Sequence, residues 1–368
     1  MIYILYSADY ELFFGKNFVP ESEVLIRPTG ELLGTCDELG IRTTLFVDTC
    51  CLKRYRELGL TGFPDLAEDQ IRAAVAGGHD AQSHLHPHWF HAGIHDGGYG
   101  FDASRFLLGR SSENPAECTK LVSGYLGESR RYLEGVIRPV DASYRCMSFR
   151  AGGYGLQPNE HLIIQALRDT GYLIDSSIVP GLVSKTDVNE IDYRGVPRQA
   201  NYWLSARTGL AASAENPGSV FEIPVASWKF SFPGRWPHLV RLRLGNIRRK
   251  RAGVTPRGIP IQGFRRQDEN AMGDFLRKIF VPQVDYLDLH VDPFHLFEVT
   301  RKYLAYHAGS PGDIFFSFNM HPKVLGKQNF EALRTYHRLL TGHYGDSLRS
   351  ITFREAGNLI RKDGQTGA

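Results

Sequence analysis

Three imidazoles fall within five positions in the stretch Ser83-His84-Leu85-His86-Pro87-His88-Trp89. Neutral imidazole is a versatile ligand for transition metals. His84 and His88 stand four apart, and Pro87 between them biases His86 away from the α region while suiting the first turn of a helix. The stretch therefore reads as a loop curling into a helix, with His84 before the turn and His88 inside it. A run of solvated histidines is the plain alternative, because a local pattern is weak evidence by itself.

The elements that would position these residues follow from the rest of the chain. At 368 residues, 42% hydrophobic and 23% charged, the sequence suits an ordinary globular protein of one large domain or two smaller ones. A net charge of +3 is too small to argue for nucleic acid. The five cysteines are odd in number and form no CxxC pair, so neither a disulfide framework nor a zinc knuckle is expected. The N-terminal residues Met1 to Asp9 carry no basic segment and no small-residue cleavage site, and no apolar run approaches a membrane span. The expectation is a cytoplasmic enzyme whose first apolar run is a buried strand.

Residues 2–8 form a short apolar run, as a strand buried on both faces would show, and further strands are expected at 42–47, at the more polar 79–84, and at 144–149, 172–175, 219–226 and 313–319. Helical spacing covers 65–76, 117–134, 158–169, 268–280, 294–307, 327–341 and 353–361. It also covers 21–39, where Pro28 and Gly30 break it. Seven strands alternating with helices imply parallel strands with helices outside them. The stretch 229–266 breaks the alternation and reads as an insertion in a single domain spanning 1–368.

Asp9, His84, Arg150, Asp175 and His321 each fall at or just past the end of a different expected strand. In a closed β/α barrel those ends meet on one face, where chemistry gathers. Residues far apart in sequence would then share one pocket.

These residues resemble the polysaccharide deacetylase superfamily, the NodB-homology enzymes related to carbohydrate esterase family 4. The resemblance runs from Tyr6 to about His321. Ser7-Ala8-Asp9-Tyr10-Glu11 matches the first family motif, with Asp9 as general base. Tyr10 stands where a metal-binding aspartate is usual, so Glu11 becomes the candidate ligand. His84 and His88 match the two metal histidines. Phe149-Arg150-Ala151-Gly152-Gly153-Tyr154-Gly155 matches the arginine motif, Asp175 the fourth motif, and His321 in Asn319-Met320-His321-Pro322 the last.

The resemblance implies a distorted (β/α)7 barrel and a hydrolase of carbon–nitrogen bonds holding a divalent metal, most simply Zn²⁺, on Glu11, His84 and His88. Two imidazoles and one carboxylate leave positions open for water and substrate. Asp9 would act as base, Arg150 would hold it, and His321 would protonate the departing amine. The backbone at Gly153-Tyr154 would face the oxyanion, and Asp175 would either tune His321 or Arg150 or simply start a turn. Trp89 and Trp228 are candidate walls for a sugar ring, since aromatic faces stack on sugars as well as filling cores.

The expected substrate is the N-acetyl group of an amino sugar in polysaccharide or lipopolysaccharide (O-antigen-type) biosynthesis, nucleotide-linked or lipid-linked. The basic run Arg248, Arg249, Lys250 and Arg251, with Arg241 and Arg243 upstream, reads either as a solvated face or as contact with a phosphate or an anionic membrane. Two other functions stay open. One is a related hydrolase acting on a formamido sugar, a ureide or an imide. The other is a barrel that binds glycan without catalysis, for which Tyr10 in the first motif is the best argument.

Overall fold

The apolar runs become a curled parallel sheet in the computed structural model, which describes residues 1–95, 98–213, 220–251, 257–260 and 282–366. Seven of its strands make the parallel wall: β1 (Ile2–Tyr10), β2 (Thr43–Asp48), β3 (Asp80–Leu85), β4 (Ser148–Ala151), β5 (Ile174–Asp175), β6 (Val220–Glu222) and β7 (Ile314–Phe318). Their order in space is β7-β1-β2-β3-β4-β5-β6. Leu348–Ser350 pairs in parallel with Ile2–Ile4, and the antiparallel hairpin Tyr202–Ser205 and Gly209–Ser213 extends the sheet beyond β6. β1 is buried from Ile4 to Tyr10 and β2 along its whole length, as strands covered on both faces must be.

Beyond Glu222 the chain meets β7. Val225 bridges Ser317 in parallel register, with Ser317 N–H donating to Pro224 O at 3.0 Å and Ala226 N–H to Ser317 O at 3.2 Å. The seam between β6 and β7 is thus joined at the C-terminal mouth. Lower down, the Asn201 side chain pairs with both backbone groups of Phe315 (2.7 and 2.8 Å), standing in for a strand. This is the distorted (β/α)7 barrel that the motifs implied.

Helices α1 (Arg27–Glu38), α2 (Thr49–Glu57), α3 (Gly62–Ala76), α4 (Pro115–Ile137), α5 (Glu160–Asp169), α6 (Phe232–Arg251), α7 (Pro293–His307), α8 (Lys327–Tyr344) and α9 (Phe353–Thr366) accompany the strands. α4 starts with Pro115 in its first turn and Asn114 as cap, the Asn114 Oδ1 accepting from the N–H groups of Ala116 and Glu117. Near the N-terminal ends of the strands, Phe353, Ala356 and Ile360 of α9 join Leu5, Phe46, Ile223 and Phe315 in one apolar cluster. All five cysteines are buried and free. Among the described residues no helix is long and apolar enough to cross a membrane.

Three local expectations need correction, and a fourth is not tested. Pro28 and Gly30 do not break the helix over 21–39: a π-helical turn at Ser22–Ile26 feeds α1, and Pro28 sits in its first turn, where its missing N–H costs nothing. α2 was not expected; Asp48, the end of β2, caps it by accepting from Cys51 N–H at 3.4 Å. Arg150 lies inside β4, which starts at Ser148 because the Gln82 side chain takes up the N–H groups of Met147 and Ser148. The helix expected at 268–280 falls outside the described residues.

Of the stretch read as an insertion, 252–256 and 261–266 lie outside the described residues. Ser227–Phe230 pairs antiparallel with Gln283–Tyr286, and Gly258–Pro260 pairs antiparallel with Gly15–Asn17. α6 is tied to this ribbon and to α7. Arg235 grips Asp285 with two hydrogen bonds of 2.7 Å each. His238 Nδ1 lies 2.9 Å from Asp292 Oδ2, and Arg241 Nε donates to the same oxygen at 2.7 Å. The His238 and His295 rings stack at 3.7 Å, with His290 beside them.

His290 Nδ1 accepts from Asp292 N–H at 3.1 Å. Its pKa is pushed down to about 4, first by burial and then by the neighbouring His238 and His295. Between pH 4 and about 6.5 the unfolded chain binds a proton here that the native chain refuses. The contribution is therefore whole above about pH 6.5 and is lost as pH falls towards 4. His290→Gln keeps an acceptor but cannot titrate. It is expected to lose less stability than the parent between pH 7 and pH 5, read as the shift in urea midpoint at the two pH values.

Candidate active site

The period of two along an extended chain sets the first part of the site. Asp9 ends the buried face of β1, Tyr10 points away to donate to Gln70 Oε1 at 3.0 Å, and Glu11 returns to the face of Asp9. The same alternation acts on β3, where His84 and His86 flank Leu85. One oxygen, Glu11 Oε2, consequently meets both rings. His84 Nε2 lies 3.5 Å from it, and His86 Nε2 is closer still.

Ligand atoms of Glu11, His84 and His86 all lie within 4.8 Å of one another, and all three residues are buried. His84 Nδ1 lies 2.9 Å from the Arg150 carbonyl oxygen, which makes Nδ1 the protonated nitrogen and leaves Nε2 as a free lone pair aimed at Glu11. His84 Nε2 and both nitrogens of His86 and of His88 are buried without a hydrogen bond. Buried donors and acceptors are otherwise nearly always paired. Two imidazole nitrogens converging on one carboxylate oxygen are placed to share one cation. The donor set fits a divalent ion such as zinc, with positions left open. Asp48 adds a second carboxylate nearby, its Oδ2 buried and unpaired, its pKa pushed up to about 6 chiefly by burial.

His88 was the expected second histidine ligand, and the structure does not bring it into this group. Pro87–His91 is a 3₁₀ turn, and the His88 ring sits in an aromatic nest. It is parallel to Phe106 at 5.4 Å and edge-on to Phe14 at 4.5 Å and Phe101 at 4.8 Å. Burial, followed by the charge of His86, holds its pKa well below the ordinary value. His86, which the i,i+4 spacing passed over, stands in its place.

Gly152 shows how closely His86 is seated: a Cβ there would come within 2.5 Å of His86 Nδ1 and 2.6 Å of its Cε1. Gly152→Ala must therefore displace the ring. It is expected to lower metal content below one ion per chain while leaving the circular dichroism spectrum unchanged, at a stability cost of about 1–3 kcal/mol for the overpacking.

Beside the ligand group lies a charged relay. Arg150 is fully buried, stacks over the Phe46 ring at 4.2 Å, and so caps the apolar cluster below. Its Nη1 donates to Asp9 Oδ1 at 2.7 Å and to Asn319 Oδ1 at 2.8 Å. Its other nitrogens go to Ser317 Oγ, Ser176 Oγ and Ser176 O. Asn319 Nδ2 donates in turn to Asp9 Oδ2 at 2.9 Å and to the Tyr154 hydroxyl at 2.8 Å. Burial would raise the pKa of Asp9, but Arg150, His84 and His321 outweigh it and hold the carboxyl far below its usual range.

His321 Nε2 lies 3.3 Å from Asp9 Oδ2, and its Nδ1 lies 3.1 Å from Asp288 Oδ1. Burial works against the imidazolium, yet Asp288 and Asp9 push the pKa up to about 10. Lys323 Nζ donates to Glu11 Oε1 at 2.7 Å and to Leu12 O at 3.2 Å. Against burial, Lys323 and the two histidines keep the Glu11 carboxyl well below its ordinary value.

Asn319, Asp288 and Lys323 were not anticipated. Asn319 and Lys323 flank His321 in sequence, but nothing in residue type marked them. Asp288 follows a strand whose pairing with 227–230 carries no local signal, and it reaches the site through a parallel bridge to Asn319.

A cavity of about 130 Å³ opens over Asp9, Glu11, His86, Tyr154, His321 and Lys323. Gly153 and Tyr154 both line it with positive φ, +60° and +59°. Such a turn is strained for tyrosine and needs the surrounding bonds to hold it. Trp89 reaches the same cavity from behind His88, buried against Tyr99 and Phe101. Trp228 does not: it lies in a separate groove against Tyr306. Asp175 does not touch His321 or Arg150 either. It accepts from Ser177 N–H at 3.0 Å and Ser177 Oγ at 2.8 Å, and so shapes the turn whose Ser177 Oγ accepts from Ala151 N–H.

No protein-family model matches the sequence, and no curated protein matches it. Among solved structures, the chain is similar to a provisionally named polysaccharide deacetylase from Mycobacterium smegmatis at 15% identity, covering 98% of this chain and 91% of that one, with a TM-score of 0.46. It is similar to the Puue allantoinase at 12% identity, over 97% and 89% of the two chains, with a TM-score of 0.44. A provisionally named polysaccharide deacetylase from Pseudomonas aeruginosa PAO1 matches at 12% identity over 97% and 90%, with a TM-score of 0.43. At these identities the likeness is one of chain course alone.

Proposed function

We propose that this chain is a divalent-metal-dependent hydrolase of a carbon–nitrogen bond that removes the N-acetyl group from an amino sugar during polysaccharide or lipopolysaccharide assembly. The carrying observation is the convergence of Glu11, His84 and His86 beside an Asp9 that is paired with Arg150 and faces His321. The substrate class comes from the motif resemblance, and the sugar would be carried on a nucleotide or a lipid. The catalytic unit is the one barrel domain of residues 1–368, with 229–266 as an insertion.

Glu11, His84 and His86 would hold the ion, zinc by its affinity for imidazole and carboxylate. When bound, such an ion lowers the pKa of its water towards neutrality and polarises the amide carbonyl. The chain's own residues supply the proton traffic. Asp9, kept ionised by Arg150 and Asn319, accepts the proton of the attacking water. The backbone of the Gly153-Tyr154 turn faces the oxyanion as the carbonyl becomes tetrahedral. His321, cationic between Asp9 and Asp288, gives its proton to the nitrogen as the C–N bond breaks, so that acetate and a free amine leave. Lys323 steadies Glu11 against rotation out of the site.

One observation favours a second reading. The cavity, at about 130 Å³, is smaller than the roughly 300–1,000 Å³ of sites that enclose a drug-sized molecule. It suits an acetamido group whose sugar stays outside, and equally a small ureide, imide or formamide. Incubation of the zinc-loaded protein with N-acetylated amino sugars should release acetate, with activity and metal lost together in His84→Ala. Formate or a ring-opened product from the smaller amides would select the second reading. Full activity in metal-free protein would end the metal-dependent deacetylase reading, and metal without turnover of any amide would favour a glycan-binding barrel.

A further inference from the structure

α6 is amphipathic in the reverse sense. Its polar residues face the barrel: Arg235 meets Asp285, His238 and Arg241 meet Asp292, and His238 is buried. Its apolar residues face solvent at spacings of four, with Trp236 56% exposed, Val240 41% and Leu244 52%. Phe294, at the start of α7 next to Arg241, is 54% exposed and extends the same patch. A helix at the surface of a globular protein ordinarily turns its apolar stripe inward. Arg235, His238 and Arg241 are held in ion pairs on the inward side, with Leu239 and Leu242 half-buried, so the outward stripe is not a core face that has failed to pack. Clustered exposed apolar side chains of this size mark an interaction surface.

Charge selects the occupant. Within Phe232–Arg251 the sequence holds Arg235, Arg241, Arg243, Arg248, Arg249, Lys250 and Arg251 and no acidic residue. Arg243 is exposed between Val240 and Leu244. The side chains of 248–251 lie outside the described residues, but their place at the end of the helix is fixed. A second copy of so basic a helix would be repelled. An anionic lipid surface attracts it, and tryptophan with aliphatic side chains beside arginine is the composition of helices that lie in a membrane interface.

We infer that the outward face of α6, with Phe294, docks on an anionic lipid surface. This stands apart from the chemistry of the metal site. α6 leaves the ribbon whose Tyr286 ring packs at 5.9 Å on Tyr154 of the catalytic cavity, so a docked barrel would hold the cavity close to a lipid-borne substrate.

The test is co-sedimentation of the full chain with phosphatidylcholine vesicles, with and without about 30 mol% phosphatidylglycerol, at low salt. Binding is expected only to the anionic vesicles. It should fall at least about tenfold in Trp236→Ser/Val240→Ser/Leu244→Ser, since each apolar side chain contributes to insertion. Metal content and hydrolysis of a soluble substrate should stay at the parent level in this variant, which reports that the barrel is folded. No vesicle binding by the parent chain, or binding that survives the triple substitution, overturns the inference. So does a parent dimer that the substitution converts to monomer in light scattering without any vesicle binding.

Discussion

His86→Ala is expected to purify with far less than one divalent ion per chain and to lose amide hydrolysis by more than about 100-fold, the upper range for changes made only behind a ligand. The expectation rests on seating rather than on sequence pattern. The His86 ring lies against Gly152 with no room to spare, its Nε2 is beside Glu11 Oε2, and neither nitrogen makes a hydrogen bond. Both His88 nitrogens are buried without a bond as well; what sets His86 apart is that its ligand atom lies within 4.8 Å of those of Glu11 and His84, where one cation could be shared. His88→Phe is the control. Its ring stacks on Phe106, so a phenyl group should be accepted at a cost of at most about 1–3 kcal/mol, with the metal retained. Metal analysis and acetate release on the two variants decide the assignment; metal lost from His88→Phe and kept in His86→Ala would reverse it.

The second large effect concerns the pair below the ligands. Asp9→Asn keeps the shape and the bond to Arg150 but removes the charge. Turnover should fall by about 10²–10⁴, the usual contribution of a positioned base, while metal content stays near the parent value. Arg150→Met acts differently. It leaves the Asp9 charge buried without its partner, and breaking a buried pair in this way costs about 3–5 kcal/mol. Urea denaturation should show that loss for Arg150→Met and a much smaller one for Asp9→Asn. Equal destabilisation by the two would mean that the guanidinium serves packing over Phe46 more than the carboxylate.

These contrasts also show what the sequence made legible. Seven short runs were expected as strands and all seven form, the first because a strand covered on both faces is apolar along its length, and Asp80–Leu85 buried throughout although most of its residues are polar. Asp9, His84, Arg150 and His321 were consequently assigned to one mouth although they are up to 312 positions apart, and β7, β1, β3 and β4 deliver them there. The choice of His88 over His86 came from the motif resemblance together with the four-residue spacing across Pro87. The backbone at His86 is still extended, φ −115° and ψ 90°, and the period of two that pairs Asp9 with Glu11 was the signal to follow. Asp175 and Trp228 were assigned to the site by their place after strands, yet the first is used by its own turn and the second faces another groove. Asp288 was beyond reach, since its position depends on a ribbon joining residues some sixty positions apart.

Among the described residues the chain beyond β6 joins β7 near its top, by Val225 on Ser317, and the ribbon that ends before Asp288 adds a second bridge there, by Asp288 on Asn319. That clasp sits directly under the two residues that follow it, Asn319 and His321. Thermal breathing that starts at the lower, Asn201-patched end would have to climb the whole seam before it disturbed the proton-handling groups. In deuterium exchange the amides of Ser317 and Asn319 should therefore outlast that of Phe315, and a cut or insertion near Asn201 should soften the vessel while sparing its working rim.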